Sequence, residues 1–442
     1  MLNFFKEVFK KGELRRKVVF TLGILFVFRL GAGIVIPYID TSAITSAATS
    51  SGIFGIMNML GGGTLEKFSL FSLGVSPYIT SSIIIELLSM DVIPALAQWN
   101  KEGNTGKKKK DKVTRVLTLA LAIIQGGSLT YAFDKGYSIL ASSSIWTYVY
   151  VVIVMAAGSM FTMWLGDQIT IKGVGNGTSL LIFTGIVANL PNSFISSFKS
   201  MVTFGSAYKT VTSLAWYILF VIVYLAIVVF VVFEEGAIRK IPIIYATNTQ
   251  TVMHTKESTN LPIKINSSSV IPVIFAASVL AAPRTIISFM KSTSTTQMID
   301  NILNYQKPIG FVLYIVMIIL FTFFYSNLQI DAKKISEDLK KSGGAIPGVR
   351  TGDDTKKYIG TVLNRVTVVG SLFLAIIASI PIIAPEIWKM TSNNALSLGG
   401  TGLIIVTGVA LETVRAIKSM LTRREYHGYI CLLYTSDAAD DK

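Results

Sequence analysis

The chain has 442 residues, 51% of them hydrophobic and only 15% charged, with a formal net charge of +15. A soluble globular chain carries about a quarter charged residues, so this composition argues against an ordinary soluble protein and for a membrane protein. A single cysteine, Cys431, excludes an intramolecular disulfide, and two well-separated histidines, His254 and His427, offer no metal cluster.

From the N-terminus, residues 1–17 (MLNFFKEVFKKGELRRK) form a basic amphipathic lead-in to a full-length apolar span, read as a cytosolic helix rather than a cleaved signal. Runs of about 20 mainly apolar residues, enough to cross a bilayer, fall at 18–39, 68–89, 114–133, 146–166, 178–198, 212–233, 268–288, 309–330, 366–388 and 401–420. Lipid offers the backbone no hydrogen-bond partners, so each span is predicted helical. The spans at 178–198, 268–288 and 401–420 are interrupted by Gly, Pro or polar residues.

Ahead of the second span, SGIFGIMNMLGGGTLEKFS (51–69) holds an apolar stretch at 53–60 that is far too short to cross. It reads as a re-entrant, interfacial or protein-buried segment. The triple glycine at 61–63 favours a movable element over a fixed amphipathic surface helix, because backbone without a Cβ has many conformations open to it. At the other end, CLLYTSDAADDK (431–442) turns abruptly from basic to acidic and is read as a non-native tail.

Lys and Arg concentrate in alternate loops. KEGNTGKKKKDKVTR (101–115), the 234–265 and 331–365 loops and both ends of the native chain are basic, whereas the loops near 40–67, 134–145, 196–211, 289–308 and 389–398 hold few. The positive-inside rule then places both termini and the long loops in the cytosol. For the lysines at 107–110, attraction to anionic lipid headgroups is an equal alternative to docking. The two longest loops exceed what orientation needs and predict a cytosolic docking surface.

The phrase GTSLLIFTG (177–185) returns as GTGLIIVTG (400–408), identical at six of nine positions. The first opens the fifth span and the second the tenth. A Pro-x-Ile phrase echoes likewise between Pro77-Tyr78-Ile79 in the second span and Pro272-Val273-Ile274 in the seventh. Two sets of five spans must enter the membrane in opposite directions, which is an inverted repeat with its functional site at the shared interface. The echoed helices offer mainly aliphatic, Gly, Ser and Thr side chains there.

Arg29, Glu86, Asp167, Arg284, Glu412 and Arg415 are the ionisable residues in or beside the spans. Most lie at span ends, where snorkelling or an ion pair accounts for them. Arg29 is deeper and is expected to turn inward to a partner. No proton relay, ion cage, nucleotide loop or nucleophile–base set is legible. The interface therefore reads as an aliphatic constriction that excludes ions by dewetting. The alternative is an inverted-repeat secondary transporter, which predicts a buried charged site and small loops; an intramembrane enzyme lacks candidate residues.

Several motifs in order resemble the SecY family of protein-translocation channels: FRLGAGIVIPYID (28–40), LGVSPYITSSIIIELL (73–88), MWLGDQITIKGVGNGTSLLIF (163–183), FEEGAIRKIPIIYA (233–246), LPIKINSSSVIPVIFAAS (261–278), LKKSGGAIPGVRTGDDTKKYI (339–359) and LGGTGLIIVTGVALET (398–413). The resemblance runs from about residue 10 to residue 428. It implies an all-α polytopic membrane protein, ten transmembrane helices in two inverted five-helix halves (18–200 and 201–430) around an hourglass pore. The family's pore ring falls on Val75, Ile79, Ile182, Ile274 and Ile405, with Ser278 adjacent. Its plug falls on residues 53–68, chiefly Ile53, Phe54, Ile56, Met57, Met59 and Leu60. Its lateral gate falls between the second and third spans on one side and the seventh and eighth on the other. Arg239, Lys240 and Arg350 match the docking positions for motor or ribosome, and a guanidinium suits bidentate binding of phosphate or carboxylate.

The implied activity is a passive protein-conducting channel of the plasma membrane, not an enzyme and without a cofactor or metal. It would pass unfolded, signal-bearing preproteins and release transmembrane segments into lipid. The implied partners are SecE-like and SecG-like small membrane subunits, a SecA-type motor ATPase, the ribosome, signal peptides and preproteins, and anionic lipids. Three positions depart from the family pattern. Glu86 replaces an uncharged polar residue and is expected to leave an unpaired carboxylate at the gate, Val75 is slimmer than the usual Ile, and Tyr38 stands where Gly is usual.

Overall fold

The computed structural model describes residues 2–39, 64, 68–89, 93–137, 139–140, 144–202, 207–245, 260–268, 271–287, 294–304, 307–388 and 400–437. Two compact units divide the chain, residues 1–196 with 409–442 and residues 197–408.

The first unit opens with α1 (Leu2–Lys10) and α2 (Gly12–Gly31). The span expected at 18–39 is helical only to Gly31. Pro37 lacks an N–H and fixes φ, so the helix cannot run through it, and the chain beyond pairs with another segment instead. Leu70 N donates to Ile34 O at 2.8 Å and Ile36 N to Phe68 O at 3.1 Å. Arg29 thereby falls in the last turn of α2, where a cation suits the helix dipole, and its side chain is exposed.

The second span also starts late, with turns over 68–75 ahead of α3 (Ser76–Leu88). In lipid, irregular backbone survives only where protein covers it. Phe68, Phe71, Leu73 and Val75 are all 2% exposed or less. Their carbonyls find hydroxyl donors: Phe71 O accepts from Thr64 Oγ1 at 2.9 Å, and Gly74 O from Ser159 Oγ at 3.2 Å and Thr162 Oγ1 at 3.0 Å. The two Gly74 donors belong to α6 (Ile145–Lys172), which is bare at Gly158 because a Cβ there would collide with Leu70 O.

Next come α4 (Pro94–Lys101) and α5 (Asn104–Tyr137), and α5 packs against α3 and α6. The core between them includes Phe68 edge-on to Phe133 at 5.3 Å, with Leu129, Val151 and Met155. The α6 helix then folds back into α7 (Gly177–Met201) at an elbow where Gly177 lies against Gly166 O too closely for any side chain. Val174 N in that elbow donates to Thr21 Oγ1 at 3.1 Å, tying it to α2.

The second unit holds α8 (Ala207–Gly236), β1 (Ile238–Pro242), β2 (Ile244–Tyr245), β3 (Asn260–Lys264), α9 (Ile271–Ile287), α10 (Ser294–Leu303), α11 (Pro308–Gln329), α12 (Ala332–Lys341), β4 (Gly344–Ala345) and α13 (Asp353–Trp388). The last helix, α14 (Gly400–Asp437), begins in this unit and ends in the first. Packing centres on α11, which lies against both α9 and α13.

Among the described residues, α5, α6, α7, α8, α11 and α13 are long and apolar enough to cross a membrane. The other four expected spans correspond to α2, α3, α9 and α14. They are weaker for visible reasons: α2 stops at Gly31, α3 has 13 residues, α9 has 17, and α14 carries polar and charged groups.

Candidate functional site

The repeated phrases open helices in matched register. Gly177 is the first residue of α7 and Gly400 the first of α14, so Ile182 and Ile405 are each the sixth. Both are buried, at 4% and 2% exposure. Pro77 and Pro272 are each the second residue of α3 and α9, where proline's fixed φ and missing N–H fit a helix start. Ile79 and Ile274 are then each the fourth, and both are half-buried. Val75 is the residue before α3 and is 2% exposed, and Ser278 lies one turn beyond Ile274 on α9. Val75, Ile79 and Ile182 belong to the first compact unit, and Ile274, Ser278 and Ile405 to the second. The plug positions Ile53, Phe54, Ile56, Met57, Met59 and Leu60 lie outside the described residues.

The two long loops form one platform. β1 pairs antiparallel with β3, from Ile238↔Lys264 to Pro242↔Asn260. β2 then pairs with β4 of the other loop, Ile244↔Ala345 and Tyr245↔Gly344. Beneath these strands Ile241, Ile243, Ile263, Leu339, Ile346, Ile359 and Leu363 make a core drawn from both loops. α12 starts cleanly because Asp331 caps it, its carboxylate accepting from Lys333 N at 2.9 Å and Lys334 N at 3.2 Å.

The turn that carries Arg350 is ordered without its guanidinium. Gly343, Gly348 and Gly352 take φ of +68°, +77° and +107°, which side chains resist. Thr355 Oγ1 donates to Arg350 O at 2.8 Å and Ser336 Oγ to Gly352 O at 2.7 Å. Arg239, Lys240 and Arg350 are all exposed. Backbone and hydroxyl bonds thus order the turn around Arg350.

The hairpin and the joining sheet were not read from sequence. Their signal was the alternation of IRKIPIIY and LPIK with a turn-rich stretch between, which hydrophobic-span reading passes over.

Charges at the ends of α3, α5 and α6 are matched. Arg115 Nη2 sits 2.8 Å from Asp167 Oδ2, as a span-end ion pair predicts, and Lys109 Nζ sits 2.8 Å from Glu102 Oε2 and over the Trp99 ring. Glu86 is half-buried in α3, and the Lys110 ammonium donates to Ser89 Oγ at 3.4 Å just past the end of that helix.

The fold matches solved channel structures. One is a protein-conducting channel, at TM-score 0.63 and 18% identity over 91% of this chain and 91% of that one. Another is Sec61 in the canine ribosome-channel complex from the endoplasmic reticulum, at TM-score 0.59 and 17% identity over 91% of each chain. The molecule is therefore an all-α, multi-pass membrane protein with the fold of a protein-conducting channel.

Residues 69–414 match the SecY family profile. The protein translocase subunit SecY of Bacillus subtilis (strain 168) is 40% identical over 433 residues, 97% of this chain and 100% of that protein. That of Staphylococcus aureus (strain NCTC 8325 / PS 47) is 41% identical over 434 residues, 97% and 99% of the two chains. The chain belongs to the SecY family. It is a protein-conducting channel subunit of the bacterial plasma membrane and not an enzyme, and nothing in these likenesses supports the secondary-transporter alternative.

Proposed function

We propose that unfolded, signal-bearing preproteins pass through an aliphatic ring of Val75, Ile79, Ile182, Ile274 and Ile405 with Ser278 beside it. The matched register of Ile79 with Ile274, and of Ile182 with Ile405, carries this reading. Aliphatic side chains make no hydrogen bonds to a moving polypeptide and shed water when nothing fills the ring. The plug role stays with residues 53–68, and the lateral gate with α3 and α5 on one side and α9 and α11 on the other. The inverted halves are 18–200 and 201–430, preceded by a cytosolic segment at 1–17 and followed by a non-native tail at 431–442.

Both termini and the joined loops face the cytosol, in keeping with their Lys and Arg content. There Arg239, Lys240 and Arg350 dock a SecA-type motor ATPase or a ribosome. The single platform built from both loops supports this reading, because it fixes three exposed cations on one ordered body. The relative solved in a ribosome-channel complex supports the ribosome as one occupant. SecE-like and SecG-like small subunits and anionic lipids complete the working unit.

Proteoliposomes with a signal-bearing preprotein, the motor and ATP test the scheme. The preprotein should become resistant to external protease, and Arg350→Glu should abolish that protection while the variant still inserts normally. Undiminished protection by Arg350→Glu would remove this residue from docking.

A further inference from the structure

At the base of the β1–β3 hairpin four polar side chains are buried together. Glu234 and Glu235, in the last turn of α8, are 5% and 4% exposed; Asn266 and Ser268, just past β3, are 3% and 0% exposed. Asn266 Nδ2 donates to Glu234 Oε2 at 3.4 Å and to Glu235 Oε1 at 3.3 Å, and Ser268 Oγ donates to Asn266 Oδ1 at 3.4 Å. Glu234 Oε1 is buried with no hydrogen-bond partner among the described residues. Adjacent carboxylates withdrawn from water make a poor stabilising device, since their desolvation offsets what their hydrogen bonds return. They belong neither to the ring nor to the docking cations.

The surrounding backbone shows what this cluster joins. Ala237 N donates to Glu234 O at 2.9 Å, and Ile265 N to Ala237 O at 3.1 Å. Hairpin pairing starts at the next residues, Ile238↔Lys264. Gly370 of α13 presses on the same point, where a Cβ would stand 2.8 Å from Ile265 O. α9 then begins at Ile271 and carries Ile274 in its first turn.

We propose that Asn266 is a positioning residue that clips the docking hairpin to α8 and the start of α9, so that a partner loading Arg239 and Lys240 moves Ile274. The proposal rests on the docking and ring roles given above. One amide offers two N–H bonds in a fixed plane, and each goes to a different carboxylate. Rotating the hairpin against α8 therefore breaks both hydrogen bonds at once, whereas a hairpin joined by backbone alone would pivot between Ala237 and Ile265.

The test measures ribosome binding and ATP-driven preprotein translocation on the same proteoliposomes. Asn266→Asp removes both donors and adds a third carboxylate. Binding should stay within about twofold of the parent while translocation falls about tenfold, the size of change expected when coupling rather than docking is lost. Adding Glu234→Gln to Asn266→Asp restores two carboxylates and one amide in permuted positions, and should bring translocation back to within about threefold.

If Asn266→Asp fails to accumulate, Asn266→Ala with Glu234→Gln and Glu235→Gln leaves no buried charge and still lacks the clip. It too should bind normally and translocate about tenfold more slowly. Parental translocation in either unclipped protein, or parallel loss of binding and translocation, overturns the clip. Arg350→Glu separates the two levels: if it leaves both binding and translocation unchanged, the docking role has failed instead.

Discussion

Ile182 and Ile405 hold the same place in two helices more than two hundred residues apart, each the sixth residue and each almost fully buried. The same phrase thus sets the same helix start twice. Ile79 and Ile274 repeat the relationship two residues past a proline, but half-buried. Removing the side chains of that second pair should open the seal. Ile79→Gly with Ile274→Gly is expected to raise resting ion conductance by about an order of magnitude in planar bilayers, because a shorter aliphatic lining no longer dewets. Unchanged conductance would take these residues out of the ring.

Tyr245 and Gly344 join the two long loops, and the space at Gly344 is already taken. A Cβ there would stand 3.0 Å from the Tyr245 ring, 3.1 Å from Leu339 Cδ2 and 3.3 Å from Ile243 Cγ2. Gly344→Val must push the β2–β4 pair apart, at about 1–3 kcal/mol of local stability. Faster proteolysis within the 234–265 loop and weaker ATP-driven translocation should appear together. Gly360→Ala, on the open side of α13 where no atom lies within 4 Å, should change neither.

The fold was legible in the sequence where one force decides the outcome. Long apolar runs have to become helices in lipid, and α6, α8 and α11 begin and end within a few residues of expectation or extend past it. It was hidden where the backbone is satisfied by distant partners. Nothing near Gly74 in the chain announces that Ser159 and Thr162 hold its carbonyl, so residues 68–75 read as helix. Pro37 did announce the end of α2, but the apolar run around it concealed the signal. The Glu234–Asn266 contact was illegible for a similar reason: two adjacent acids look like a solvated helix end until the hairpin folds over them.

That hydroxyl support for residues 68–75 can be measured. Ser159→Ala alone leaves Gly74 O with Thr162 Oγ1, so its effect should be small. Ser159→Ala with Thr162→Val leaves a buried carbonyl without either donor and should cost about 1–3 kcal/mol. Thermal unfolding in detergent is expected to show this as a more-than-additive loss for the double variant. Additive single effects would mean the two hydroxyls act independently of Gly74.

The resemblance leads to glycine being expected at position 38, and the backbone of Tyr38 is one that suits glycine: φ is +69°. An L side chain in the left-handed region costs about 1–2 kcal/mol. The tyrosine offsets part of that, since its ring meets Tyr150 edge-on at 5.9 Å, an arrangement worth about 0.5–1.5 kcal/mol. The two effects nearly cancel, so Tyr38→Gly should leave the unfolding temperature close to the parent's. In a Tyr150→Ala background the ring pair is already gone and only the strain remains, so Tyr38→Gly should then stabilise by about 1 kcal/mol. Tyr38→Val keeps the strain, worsens it by β-branching and loses the ring, and should be the least stable of the set. If Tyr38→Gly destabilises equally in both backgrounds, the side chain is held by contacts other than Tyr150 and the strain argument fails.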